Sequence, residues 1–222
     1  MTRILLLFVS MLCLTSCGPR HGHLRHSSAD QVIALDRADR NQWQRPIWLM
    51  QTLKIRPGMR VVDLGAGAGY LLPHLSKAVG PQGQVIALEV DGDLLAQLRS
   101  MVKRLNLTNV KVVRGQPLGM PIPTQADLAL MVNTYPELDN PVEMLQSLHD
   151  HLKPSGRLAV IDYMVDLKVA GPPQSERLSA DTIRAEARGA GFSELQTIAG
   201  LPRQYCLVFG RVEDQASDQV SK

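Results

Sequence analysis

From residue 60 onward the chain alternates short, β-branched apolar runs with longer stretches in which apolar residues recur at helical spacing. Each short run is flanked by Gly, Pro or Asn. That alternation marks β-α-β units, whose strands pair in parallel and whose helices cover the sheet. The runs at 60–64, 84–88, 110–113, 126–132 and 157–163 predict five strands, and 195–198 and 204–210 predict two more. The expected architecture is a Rossmann-like, doubly wound α/β fold: a mostly parallel seven-stranded sheet with helices on both faces.

The helix signals lie between these runs. Asp91 can cap a helix whose positions Leu94, Leu95, Leu98, Met101, Val102 and Leu105 trace one face, which should lie on the sheet. Asn140-Pro141-Val142-Glu143 joins a capping residue, a proline at the first helical position and a reciprocal Glu, and that helix should stop before Lys153-Pro154. Ser179 opens a further helix ending at Gly189, residues 46–53 form a short extra helix, and Arg56-Pro57-Gly58 turns into the first strand.

The N-terminal residues break this pattern. Arg3 precedes an apolar run over 4–14 and then Leu14-Thr15-Ser16-Cys17. A permanent membrane span needs about 20 apolar residues, so a cleaved signal fits better than a transmembrane helix. Leu-Thr-Ser-Cys resembles the lipobox of bacterial lipoproteins. The resemblance implies that Cys17 is lipidated and becomes the mature N-terminus, anchoring the protein to a membrane on its periplasmic side. Gly18 in place of an aspartate favours the outer membrane. A start at Met11 would remove most of the run and leave a cytoplasmic protein. The expected organisation is a signal over 1–16, a tether over 17–35, one α/β domain over 36–212 and a polar tail over 213–222.

Composition adds only exclusions. A hydrophobic share of 45% and a charged share of 20% are those of a globular domain, and a net charge of +3 gives no footing for nucleic acid. His21, His23 and His26 lie in the polar tether and read as solvated rather than as metal ligands. With Cys13 in the signal and Cys17 acylated, Cys206 has no partner for a disulfide. No sequence feature specifies an oligomeric state.

The chemistry concentrates in Val61-Val62-Asp63-Leu64-Gly65-Ala66-Gly67-Ala68-Gly69-Tyr70, a buried strand entering a glycine-rich turn and then a helix. Glycines there let a ligand approach the backbone and tolerate positive φ, and the following helix offers free N–H groups. The dinucleotide fingerprint is G-x-G-x-x-G, whereas Gly65, Gly67 and Gly69 read G-x-G-x-G behind an acidic Asp63. Twenty residues after Gly69, Glu89 ends the second strand, where a carboxylate can accept two hydrogen bonds from a ribose diol.

This combination resembles motif I of class I S-adenosylmethionine-dependent methyltransferases. The resemblance implies that Asp63, Gly65, Ala66, Gly67 and Gly69 surround the amino-acid part of S-adenosylmethionine and that Glu89 holds its ribose. Gln116 stands where the family usually has an acidic residue at the adenine edge. The likeness runs from Asp36 to about Gly210, through Trp43, Pro46, Leu152-Lys153-Pro154-Ser155-Gly156, Gly171-Pro172-Pro173 and Leu201-Pro202-Arg203-Gln204-Tyr205. It is similar to quinone C-methyltransferases and other small-molecule enzymes.

In relatives the fourth strand ends in Asn/Asp-Thr-Tyr-His; here it reads Asn133-Thr134-Tyr135-Pro136. The likeness implies that Asn133 and Tyr135 stand opposite the cofactor, beside a small-molecule acceptor, and act mainly by positioning. Tyr135 or Asp162 can assist a proton or serve only packing, and Trp43 and Trp48 belong either to an acceptor pocket or to the core. Two other readings stay open: a lipoprotein that keeps this fold without catalysis, and an NAD-binding oxidoreductase, which the glycine spacing opposes.

Overall fold

A computed structural model of the chain describes residues 39–116 and 125–212. Two short helices, α1 (Arg40–Gln44) and α2 (Pro46–Thr52), precede the sheet. They are separated at Arg45, whose left-handed backbone (φ 47°) breaks the helix before Pro46 restarts it. The alternating part is β1 (Arg60–Leu64), α3 (Leu72–Val79), β2 (Gln84–Glu89), α4 (Gly92–Arg104), β3 (Val110–Arg114), β4 (Ala126–Val132), α5 (Pro141–His151), β5 (Leu152–Tyr163), α6 (Ala180–Gly189), β6 (Phe192–Ile198) and β7 (Gln204–Arg211). The signal, Cys17, the tether and the polar tail lie outside the described residues.

The seven strands are ordered β3-β2-β1-β4-β5-β7-β6, parallel except for β7, which runs antiparallel to β5 and β6. The expected doubly wound sheet is present. Side chains alternate across it. Val62, Leu64, Ile86, Leu88 and Met131 face Leu145 and Leu148 of α5 and Ile183 of α6. Val61, Val85, Ala87, Leu128 and Leu130 face Leu49 of α2, Leu72 and Leu75 of α3, and Leu98 of α4. Strand order reverses between β1 and β4, and at such a point the carboxyl ends of the strands open a crevice.

Four expectations need correction. Leu105 is 45% exposed, because α4 ends at Arg104 and its last residue points past the sheet. Asn140 makes no side-chain cap on α5, so the reciprocal capping read from Asn140 and Glu143 does not form. β5 begins at Leu152 rather than at residue 157, pairing with Ala126 before a register shift in β4. β6 begins at Phe192 rather than at 195. It is an edge strand with five exposed residues in a row, and Leu195 sits at a register shift that turns it outward, so the alternation that marks a half-buried strand is missing.

Candidate functional site

The site forms where β1, β2 and β4 end. Beyond β1, the Gly65 and Ala66 N–H groups donate to the Leu88 carbonyl at 2.9 and 3.0 Å, and Gly69 N–H donates back to Ala66 at 2.9 Å. All three glycines of the turn have positive φ (67°, 56° and 86°). Gly65 is also sterically committed: a Cβ there would run into the Thr134 side chain at the tip of β4. The turn is thereby held against both neighbouring strand ends.

Glu89 closes the turn from β2. One carboxylate oxygen accepts from Gly67 N–H at 2.8 Å, and the other accepts from Val90 N–H at 2.7 Å and Asp91 N–H at 3.0 Å. Asp91 then caps α4 as expected, accepting from the Asp93 and Leu94 N–H groups. Each carboxylate oxygen has two lone pairs, so the Glu89 oxygen bound to Gly67 keeps acceptor capacity for a ligand hydroxyl.

Asp63 shares the β1 face of Val61 and is buried. Burial pushes its carboxyl up to about 7; the nearby Arg40 guanidinium pulls it back, and Glu89 raises it further. Arg40 comes from α1, with its guanidinium 3.9 Å from the centre of the Tyr70 ring, and Tyr70 donates to Asn41 Oδ1 at 2.6 Å. These contacts fold the N-terminal helix over the glycine turn. Sequence reasoning missed Arg40, since α1 carries no apolar period that would mark it.

The two residues read as catalytic separate. Asn133 has left-handed backbone (φ 58°), which Asn tolerates, and its N–H donates to Ile161 at 2.9 Å. Its Oδ1 accepts from Gln204 Nε2 at 2.5 Å, and Gln204 Oε1 accepts from Gln44 Nε2 at 2.7 Å. Gln44 and Gln204 are fully buried. Asn133 therefore stays at the crevice, tied to α1 and β7.

Tyr135 does not. Its ring is fully buried in the cluster beneath α5 and α6, on the sheet face opposite Asp63, and its hydroxyl donates to Glu186 Oε2 at 3.0 Å. A short 3-10 turn at Tyr135–Glu137 carries the ring to that side. The expectation that Tyr135 faces the acceptor is corrected to a packing role.

Asp162 lies on that same far side of β5, with Oδ1 accepting from Tyr163 N–H at 2.8 Å and no partner for Oδ2 among the described residues. Burial raises its pKa to about 7, opposed by the Tyr163 N–H; Glu137 raises it further and Arg177 lowers it. Arg177 gives its donors to carbonyls of Met164, Leu167, Val169 and Pro172, binding the β5–α6 connection together.

Trp43 is core, with its ring centre 5.7 Å from that of Tyr163 and the Arg203 guanidinium 5.1 Å from its own. Trp48 instead lines an open groove of about 410 Å³ with Asn41, Arg45, Pro46, Ile47 and His74. Gln116 is exposed just beyond Gly115, whose N–H donates to the Glu89 carbonyl at 2.8 Å; this places Gln116 close to the β2 tip.

Comparison with known proteins agrees with this geometry. The family described as "Methyltransferase domain" matches residues 55–195. A demethylmenaquinone methyltransferase of Listeria welshimeri is 26% identical over 114 residues, covering 51% of this chain and 48% of that protein. A ubiquinone/menaquinone biosynthesis C-methyltransferase of Psychromonas ingrahamii is 31% identical over 115 residues, covering 51% and 46%. The chain thus spans about half the length of the curated relatives it matches. The crystal structure of a SAM-dependent methyltransferase from Aquifex aeolicus superposes with a TM-score of 0.79 at 28% identity, covering 83% of this chain and 98% of that one.

Proposed function

This chain belongs to the methyltransferase-domain family, and from that premise we propose that it transfers a methyl group from S-adenosylmethionine to a small-molecule acceptor. The observation that carries this reading is the Glu89 carboxylate clasping Gly67 N–H across the tips of β1 and β2, with buried Asp63 behind the turn. A side-chain-free turn, an acceptor carboxylate at its rim and a second carboxylate beneath fit a ligand that carries a ribose diol and an ammonium group. In this reading Asp63, Gly65, Ala66, Gly67 and Gly69 hold the amino-acid part, Glu89 the ribose, and Gln116 the adenine edge. The same donor set gives no reason to favour NAD.

When bound, the cofactor supplies an electrophilic methyl on sulfur. Its transfer would be an in-line displacement, the methyl passing from sulfur to the acceptor and the proton of a protonated acceptor passing to solvent or to a nearby base. Such an in-line displacement gains most from alignment. This chain's contribution is to hold the glycine turn rigid from three strands and to set Asn133 beside it. With Tyr135 buried and bonded to Glu186, and with Pro136 following it, neither residue is placed to take a proton from the acceptor, and the reading assigns the β4 tip a positioning role.

Titration of the full chain with S-adenosylmethionine, S-adenosylhomocysteine and NAD tests the assignment. S-adenosylhomocysteine should bind in preference to NAD, and Glu89→Ala should weaken it by about 1.5–3 kcal/mol, the value of a charge-assisted contact. Glu89→Gln, which keeps one carbonyl oxygen for the backbone donors, should lose less. Preferential NAD binding, or unchanged affinity in Glu89→Ala, would contradict the assignment. Cofactor binding with no turnover across a broad acceptor panel would favour a non-catalytic lipoprotein.

We also propose that the protein is a lipoprotein acylated at Cys17, attached to the outer membrane and facing the periplasm. The support is the apolar run over 4–14 followed by Leu-Thr-Ser-Cys and Gly18. Mass spectrometry of the native protein should find an acylated N-terminal cysteine, and Cys17→Ser should leave the membrane fraction. An N-terminus at Met1 or Met11, or a Cys17→Ser protein that fractionates unchanged, would refute it.

A further inference from the structure

Three amides form a head-to-tail chain through the core. Gln44 on α1, Gln204 at the start of β7 and Asn133 at the tip of β4 are joined by bonds of 2.7 and 2.5 Å, although 160 residues separate the first two. Glutamine is costly to bury, and both glutamines here are fully buried: Gln44 faces Arg40 with its oxygen and Gln204 with its nitrogen, and Gln204 faces Gln44 with its oxygen and Asn133 with its nitrogen. An arrangement of this kind does more than fill space, because each amide has a polarity and the bonds transmit it.

The polarity is set at one end. Arg40 Nη2 lies 3.5 Å from Gln44 Oε1, and a guanidinium can only donate. Gln44 must therefore turn its oxygen to Arg40 and its nitrogen to Gln204. Gln204 then offers its nitrogen to Asn133, and Asn133 spends its oxygen on Gln204. What remains is the Asn133 Nδ2 group, half-buried and one residue before Thr134, whose side chain abuts Gly65 of the glycine turn.

We propose that Gln204 and Gln44 are positioning residues that lock Asn133 with its N–H donors toward the crevice. The methyl acceptor would then present a hydrogen-bond-accepting oxygen there, such as a phenolate, enolate or carbonyl, rather than a donor. This rests on the methyltransferase reading above for the acceptor, but the locked polarity stands on Arg40 and the chain of amides, whatever the ligand.

Two measurements test it on the full chain. Side-chain amide hydrogen exchange by NMR needs no ligand: the Gln44 and Gln204 amide protons should exchange at least about tenfold more slowly than those of Asn133, because only theirs are held in buried bonds. Slow exchange at Asn133 with fast exchange at Gln44 would mean the opposite polarity and overturn the proposal.

The second measurement compares 4-nitrophenolate with 4-nitroaniline, which share a shape but present an acceptor oxygen or donor N–H groups, on protein saturated with S-adenosylhomocysteine. The phenolate should bind about tenfold more tightly, a difference worth one hydrogen bond. In Gln204→Glu the introduced carboxylate accepts from both Gln44 and Asn133, so Asn133 turns its oxygen outward and the preference should reverse. In Gln204→Leu it should shrink to near parity while S-adenosylhomocysteine affinity is kept. A wild-type protein with no preference, or the same preference in all three proteins, overturns the proposed acceptor chemistry. Failure of S-adenosylhomocysteine to bind at all, with the exchange pattern intact, would instead count against the methyltransferase reading.

Discussion

Tyr135→Ala should lower stability by about 3–5 kcal/mol, the usual cost of deleting a large buried aromatic side chain. In a domain of this size that corresponds to a fall in Tm of roughly 6–20 °C. The reason is its place: the ring is fully buried with Met144, Leu145 and Leu148 of α5 and Ile183 of α6, and its hydroxyl is anchored on Glu186. Tyr135→Phe keeps the ring and gives up one partly solvated hydrogen bond, so it should cost only about 1 kcal/mol. Because the ring is on the sheet face away from Asp63 and Glu89, S-adenosylhomocysteine affinity in Tyr135→Phe should match wild type. A Tyr135→Ala protein that melts with wild type but loses only turnover would restore the residue to the acceptor site.

Asp63→Asn should make the protein more stable at pH 8 while weakening its hold on the cofactor. Folding raises the Asp63 pKa from 3.8 to about 7, chiefly through burial, so between those values the folded state retains a proton that the unfolded chain releases. The wild-type carboxyl is therefore most favourable to folding below about pH 4, and its contribution is lost as pH rises toward 7. The amide carries no such dependence. The gain in Asp63→Asn should be near zero at pH 4, grow through pH 5–7 and level off above it at on the order of 2–4 kcal/mol. Denaturant titrations of both proteins at pH 4, 6 and 8 check this, and the difference between them isolates Asp63 from Asp162, which titrates in the same range. A pH-independent difference would mean that the Arg40 guanidinium holds Asp63 charged throughout.

Much of this organisation was legible before the structure. The strands at 60–64 and 126–132 coincide with β1 and β4, the Asp91 and Ser179 caps form, and G-x-G-x-G followed by Glu89 marks the β1 and β2 tips. These features are written locally. A parallel strand must be apolar on both faces, a cap is satisfied within three residues, and a turn with positive φ selects glycine where it stands. The family resemblance added ligand roles to these positions, and the family match over residues 55–195 bears out the class.

What only the tertiary structure decided lies where the local period ends or where partners are far apart in the chain. After Val132 the strand gives way to left-handed Asn133 and a 3-10 turn, so alternation could no longer say which face Tyr135 takes. β6 starts unmarked, because an edge strand open to water has few apolar positions to alternate. Arg40 and Gln44 carry no motif, and the likeness that marks Gln204 within residues 201–205 gives it no partner: a buried amide or guanidinium is stable only with partners supplied by distant segments, and α1, β4 and β7 meet only once the sheet has formed. Local chemistry chooses the glycine turn, whereas the partners that hold Asn133 come from bonds that close across most of the chain.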